Sequence, residues 1–235
     1  MYYYDWTYVL VLIGAVICLI AQAGVKSTYK KYSKVANSRG ITGAMVAEKL
    51  LLNAGINDVS IQCVSGELTD HYDPTNKTVN LSNAVYNGRS IASLSVAAHE
   101  CGHVMQHAEN YTPLSLRTTL VPLANFGSKL AWPLIIIGLL FARLGEISTM
   151  FIEVGIIMFS LAVLFQIVTL PVEFNASSRA LKCLQDQNWL TSDEMPGARK
   201  VLRAAAMTYV ASAAAAILQL LRLILILNNS RSSKR

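Results

Sequence analysis

Hydrophobic positions along this chain are gathered into runs rather than dispersed at core spacing. Four such runs stand out, at 6–24, 118–142, 147–170 and 201–227. Each is near the ~20 residues that an α-helix needs to cross ~30 Å of hydrocarbon. The first holds no charge. The second contains Lys129, itself flanked by Pro122 and Pro133, so its spanning part is expected nearer 130–150, with 114–129 a helix on the membrane surface. The fourth carries Arg203 near its start and Arg222 within it, and either spans, lies at the interface or packs on the remaining domain. Residues from 228 onward are polar and basic and read as a loose tail.

Between the first and second runs lie about ninety residues of globular pattern. Thr42 is a plausible N-cap for a helix over 42–53, and Gly55 its stop. Val59, Ile61 and Cys63 alternate in strand period, and a second short strand is predicted at 77–81, after the turn signal Asp73-Pro74-Thr75-Asn76. Asn87-Gly88 closes a turn, and a helix is predicted over 90–109. The pattern gives a mainly α membrane protein. A small α+β domain with a short sheet is inserted between transmembrane helices. The expected segments are an anchor at 1–25, the inserted domain at 26–117, a transmembrane hairpin at 118–170, a site-completing helix at 171–200 and an apolar helix with its tail at 201–235.

Charge sets the orientation. The first run is followed by Lys26, Lys30, Lys31, Lys34 and Arg39, and preceded by Tyr2, Tyr3, Tyr4 and Trp6. The basic flank belongs in the cytoplasm and the aromatic belt at the opposite face, so the N-terminus is expected outside. A cleaved signal peptide is disfavoured, because no basic segment precedes the run and the run is too long. Of the 235 residues 53% are hydrophobic and only 14% charged, against about a quarter charged in soluble domains. The net charge of +6 fits cytoplasmic flanks facing anionic membrane lipid; no basic-aromatic pattern calls for nucleic acid. Cys18, Cys63, Cys101 and Cys183 are scattered without metal-ligand spacing and read as structural thiols.

The chemistry lies in His99-Glu100-Cys101-Gly102-His103. On a helix, His99 and His103 stand one turn apart on one face and can grip one Zn²⁺, while Glu100 is placed to take a proton from the attacking water. Gly102 costs a helix ~1 kcal/mol relative to Ala, which implies close approach of another backbone. His107 lies on the same face but ~6 Å further along the axis, and a hydrogen-bonding or structural role is expected for it. The His-x-x-Gly-x-x-His extension is excluded by Gln106 and Glu109.

A third ligand must come from downstream, among Glu109, Glu146, Glu153, Glu173 and Glu194. Two crossings return the chain to the side of the His pair at Glu173, whereas Glu146 falls on the far side and Glu153 within the bilayer. The alternative for Glu173 is an exposed ion pair with Arg179 or Lys182. Structural zinc sites usually have four protein ligands. A fourth side chain, such as Cys101 or His71, would therefore point to a non-catalytic scaffold or partner-binding protein holding structural zinc. A metal transporter is poorly supported by Lys129, Gln166 and Gln219 alone.

The segments His71-Tyr72-Asp73-Pro74, Leu81-Ser82, Val85-Tyr86, Ala97-Ala98-His99-Glu100-Cys101-Gly102-His103, Gln106-His107 and Pro171-Val172-Glu173-Phe174 together resemble the YugP-type neutral zinc metallopeptidases of bacterial membranes. The resemblance covers nearly the whole chain. It implies a zinc-dependent peptidase whose inserted α+β domain is zincin-like, acting on peptide or protein substrates, with one catalytic Zn²⁺ on His99, His103 and Glu173, and Glu100 as the catalytic carboxylate. Related membrane peptidases carry an Asp one turn after the ligand Glu to orient the zinc helix. Ser177 stands there in this chain, which leaves Asn175 or Asp186 as substitutes. The strand at 77–81 is expected to act as an edge that holds an extended substrate. His71 or Tyr72 is a candidate donor to the oxyanion or, equally, a loop contact.

Overall fold

The computed structural model describes residues 6–141 and 145–232. Tyr2, Tyr3 and Tyr4 of the expected aromatic belt, and Lys234 and Arg235 of the tail, lie outside the described residues. The elements run α1 (Tyr8–Tyr32), α2 (Gly43–Asn53), β1 (Ser60–Val64), β2 (His71–Asp73), β3 (Thr78–Ser82), α3 (Asn83–Tyr86), α4 (Ile91–Ala108), α5 (Thr112–Leu140), α6 (Glu146–Asp186) and α7 (Met195–Ser232). The fold is mainly α with a small three-stranded sheet. α1, α5, α6 and α7 are each long and apolar enough to cross a membrane. The described chain divides into two compact units.

One unit comprises Met1–Ile20, Leu116–Leu170 and Tyr209–Arg235. Its helices meet through small residues. A Cβ on Gly127 would come 2.5 Å from the Met158 carbonyl oxygen, and one on Gly155 3.0 Å from that of Ala131. Such close backbone approach is how helices associate where lipid removes any hydrophobic drive between them. Ile135, Ile152, Ile156, Leu223 and Leu227 form its buried apolar cluster. Apolar side chains elsewhere turn outward: Leu12, Leu19 and Ile20 of α1 are each more than 60% exposed.

Two expectations change here. The second run is a single helix, α5, with Pro122 and Pro133 inside it, rather than a surface helix followed by a span at 130–150. Each proline removes one backbone hydrogen bond and the rest of the ladder continues, as apolar membrane helices tolerate. The chain then turns before α6, with Gly145 at φ +66°. The tail is also more regular than its polarity suggests, since α7 stays helical to Ser232.

The other unit comprises Ala21–Ser115 and Pro171–Thr208. Thr42 caps α2 as expected, its Oγ1 accepting from the Met45 N–H at 3.3 Å, and Ser90 caps α4 by accepting from the Ser93 N–H at 3.1 Å. Asp73 closes the turn after β2 by accepting from the Thr75 N–H at 2.8 Å. The strand order is β1-β3-β2, with β1 parallel and β2 antiparallel to β3. β3 is therefore the central strand and is buried along its whole length; the edge expected at 77–81 lies instead on β1 and β2. The core packs Val46 and Leu50 of α2, Val79 and Leu81 of β3, and Leu94 and Val104 of α4 against Ala180 and Leu184 of α6.

Candidate metal centre

α4 presents His99 and His103 one turn apart, their rings 4.8 Å between centroids and edge to face. α6 brings Glu173 against them. Glu173 Oε2 stands 3.4 Å from His99 Nε2 and 3.6 Å from His103 Nε2. One ligand atom from each of the three residues falls within 4.8 Å of the others. Gly102 makes this approach possible, since a Cβ there would lie 2.6 Å from the Ala176 carbonyl oxygen of α6. The close contact expected at Gly102 is thus present. Glu173 is 2% exposed, and Arg179 bonds Asn175 and Glu109, which displaces the reading of Glu173 as an exposed carboxylate on Arg179.

The tautomer of His103 follows from its neighbours. A guanidinium only donates, so the atom that accepts from Arg179 Nε at 2.7 Å is the oxygen of Asn175. That oxygen also accepts from Gln106 Nε2 at 2.9 Å, and the Val172 carbonyl accepts from the same nitrogen at 2.8 Å. The Gln106 amide is therefore oriented with Oε1 toward His103 Nδ1, 3.0 Å away, and Nδ1 carries the proton that it accepts. The Nε2 of a neutral His103 is left with its lone pair toward Glu173. His99 Nδ1 meets Ser177 Oγ at 3.2 Å. Ser177 thus contacts α4 directly, and Asn175 acts one step further out through Gln106.

Imidazole lone pairs and a carboxylate oxygen at this separation repel unless a positive charge lies among them. The side chains register this themselves. Burial alone would raise the Glu173 pKa, but His103 and His99 in their protonated forms donate to it and lend it positive charge, which holds it well below the usual carboxylate range. Burial pulls His103 down, and Glu173 with Glu100 more than reverses it. The donor set also fits zinc by size, since ligand atoms ~2.0–2.1 Å from a tetrahedral ion stand about 3.3–3.4 Å apart. Glu100 is 7% exposed. Burial pushes its carboxyl pKa up against the opposing pull of His99 and His103.

The remaining candidates lie elsewhere. Cys101 is buried, with its thiol donating to the Ala47 carbonyl at 3.6 Å. The His71 ring contacts the Thr69 carbonyl at 2.7 Å and Asn80 at 3.3 Å. His107 takes the hydrogen-bonding role expected of it, its Nδ1 2.8 Å from the Tyr72 hydroxyl. Sequence reasoning gave Gln106 no role. The sequence shows only a glutamine about one turn after His103, and the partners that make it an anchor lie 66 and 69 residues away.

The family described as "Putative neutral zinc metallopeptidase" matches residues 7–228. The chain belongs to this family. It is also 49% identical over 211 residues to "Putative membrane protease YugP" of Bacillus subtilis (strain 168), which covers 90% of this chain and 92% of that protein. No solved structure matches the chain.

Proposed function

We propose that the chain is a membrane-embedded, zinc-dependent endopeptidase. His99, His103 and Glu173 hold one catalytic Zn²⁺ and Glu100 is the general base. The observation that carries this reading is the convergence of three protein donors beside a buried carboxylate of raised pKa. Catalytic zinc sites keep three protein ligands and leave a position open, whereas structural sites close it with a fourth. Among the described residues the cluster has three donors, and Cys101 and His71, which a structural site would recruit, are bonded elsewhere.

Zinc, when bound, supplies a Lewis acid that polarises the scissile carbonyl and acidifies water. Glu100 takes the proton of the attacking water and passes it to the leaving amine, a task that suits a carboxylate whose pKa is raised toward the working pH. Gln106 holds His103 in the tautomer that offers Nε2, and Ser177 steadies His99. With α1, α5, α6 and α7 read as spans, the positive-inside bias puts the N-terminus outside and the site on the cytoplasmic side. Peptide or protein chains reach it there, close to membrane lipid.

The test is a pair of variants of the full chain, assayed on a denatured protein substrate. Glu100→Gln is expected to keep zinc and lose hydrolysis by at least ~10²-fold, and His103→Ala to lose both. Full activity in Glu100→Gln would overturn the mechanism.

A further inference from the structure

A second site lies away from the metal centre, where the C-terminal end of α1 meets the start of α7. Ser27, Thr28, Lys31 and Tyr32 of α1 and Lys200, Arg203, Ala204 and Met207 of α7 line an open groove of about 480 Å³. We propose that this groove binds the phosphate headgroup of an anionic phospholipid of the cytoplasmic leaflet. The inference rests on the membrane placement of α1 and α7 and is independent of the metal site.

Three observations carry it. The first is charge: Lys31, Lys200 and Arg203 are exposed around the groove, and among the described residues no acidic side chain lines it. Such a cluster attracts an anion, and the Thr28 hydroxyl adds a neutral donor to its oxygens, whereas the Ser27 hydroxyl donates to the Gly24 carbonyl at 3.0 Å.

The second is polarity along the helices. Lys200, Arg203, Ala204 and Met207 follow i, i+3, i+4, i+7 spacing and share one face of α7. Over those seven residues, ~10 Å of helix rise, the face passes from cation to alkyl. The interfacial layer of a bilayer is about 5–7 Å deep, so the same span leads from headgroup to acyl chain. α1 repeats the order in reverse, from Lys31 through Thr28 and Ser27 to the uncharged segment 6–24. A free anion would use the cations alone; a phospholipid uses the whole gradient.

The third is that the groove is built. Gly197 seats the start of α7 on the Tyr32 ring, where a Cβ would come 2.8 Å from Cε1, and Lys31 Nζ lies 5.6 Å from the centre of that ring. The two helix ends are thereby held close, with Tyr32 among the residues that line the groove. Lys26, Lys30, Lys34 and Arg39 belong to the same basic segment but do not line it, which separates a site from diffuse charge.

The experiment measures retention of labelled phosphatidylglycerol by the purified full-length chain in detergent, with phosphatidylcholine and inorganic phosphate as competitors. The wild type is expected to prefer phosphatidylglycerol to phosphatidylcholine by about tenfold or more. Each groove cation removed should weaken retention about fivefold, and Lys31→Gln, Lys200→Gln and Arg203→Gln together roughly a hundredfold. Lys26→Gln, Lys30→Gln and Lys34→Gln together remove the same charge outside the groove and should change it by less than about threefold. Equal losses in the two triple variants would reduce the site to diffuse electrostatics and overturn the proposal. So would equal retention of the two lipids, or inorganic phosphate binding as tightly as phosphatidylglycerol. Should the groove triple variant fail to elute as a single folded species, Met207→Trp decides, since it fills the groove without altering charge. It should lose phosphatidylglycerol, and wild-type retention in that variant would also overturn the proposal.

Discussion

His103 owes its tautomer to residues that are not among the proposed metal donors. Arg179 donates to Asn175, Asn175 accepts from Gln106, and Gln106 accepts from His103 Nδ1, so a guanidinium at the edge of α6 determines which imidazole nitrogen is free. Gln106→Leu keeps the volume and removes both halves of the relay. Outer partners of metal-bound histidines are typically worth 10–100-fold in metal affinity, and a loss in that range is expected for Gln106→Leu. Competition with a chelator of known zinc affinity measures it; unchanged affinity would show that His103 needs no such anchor. The proposed donors were legible in the sequence, because His99 and His103 are local, with Glu100 beside them, and Glu173 follows from counting crossings; the structure brings His99, His103 and Glu173 together. Gln106 was not, because a glutamine becomes an anchor only when α6 lies against it.

At the scale of elements, the site is the meeting of α4 with α6, and Gly102 sets how closely they meet. In an isolated helix Gly102→Ala would gain ~1 kcal/mol. Here the added Cβ lies 2.6 Å from a backbone oxygen, which cannot rotate away, and overpacking of this kind costs ~1–3 kcal/mol. Thermal unfolding of Gly102→Ala should therefore show a lower midpoint together with weaker zinc retention. Gly24→Ala, where nothing lies within 4 Å, should lower neither. A midpoint for Gly102→Ala at or above wild type would contradict the packing. Helix α2 was legible through its cap, Thr42, because capping is a local exchange of hydrogen bonds, and α4 through its helix-length run after the Asn87-Gly88 turn. Strand order was not: β3 lies between β1 and β2, and alternation along one strand says nothing of its neighbours. Pro122 and Pro133 misled for a related reason. A proline breaks one bond of the ladder, and the apolar length on either side decides whether the helix goes on.

On the scale of the whole molecule, four helices are long and apolar enough to cross a membrane, and the proposed orientation rests on the basic residues after the first apolar run. Cys63, exposed on β1, reports that orientation. In a variant with Cys63 as sole cysteine, a membrane-impermeant maleimide should leave intact cells unlabelled and react after lysis. Labelling before lysis would invert the topology and place the metal centre outside, without touching its chemistry.

The central claim is that two imidazoles from one helix and a carboxylate from another hold one zinc ion. Zinc per chain, measured on the purified full-length protein beside Glu173→Ala and Glu100→Gln, tests it most directly. About one equivalent is expected in the wild type and in Glu100→Gln, and little or none in Glu173→Ala. Stoichiometric zinc retained by Glu173→Ala at wild-type affinity would contradict the account.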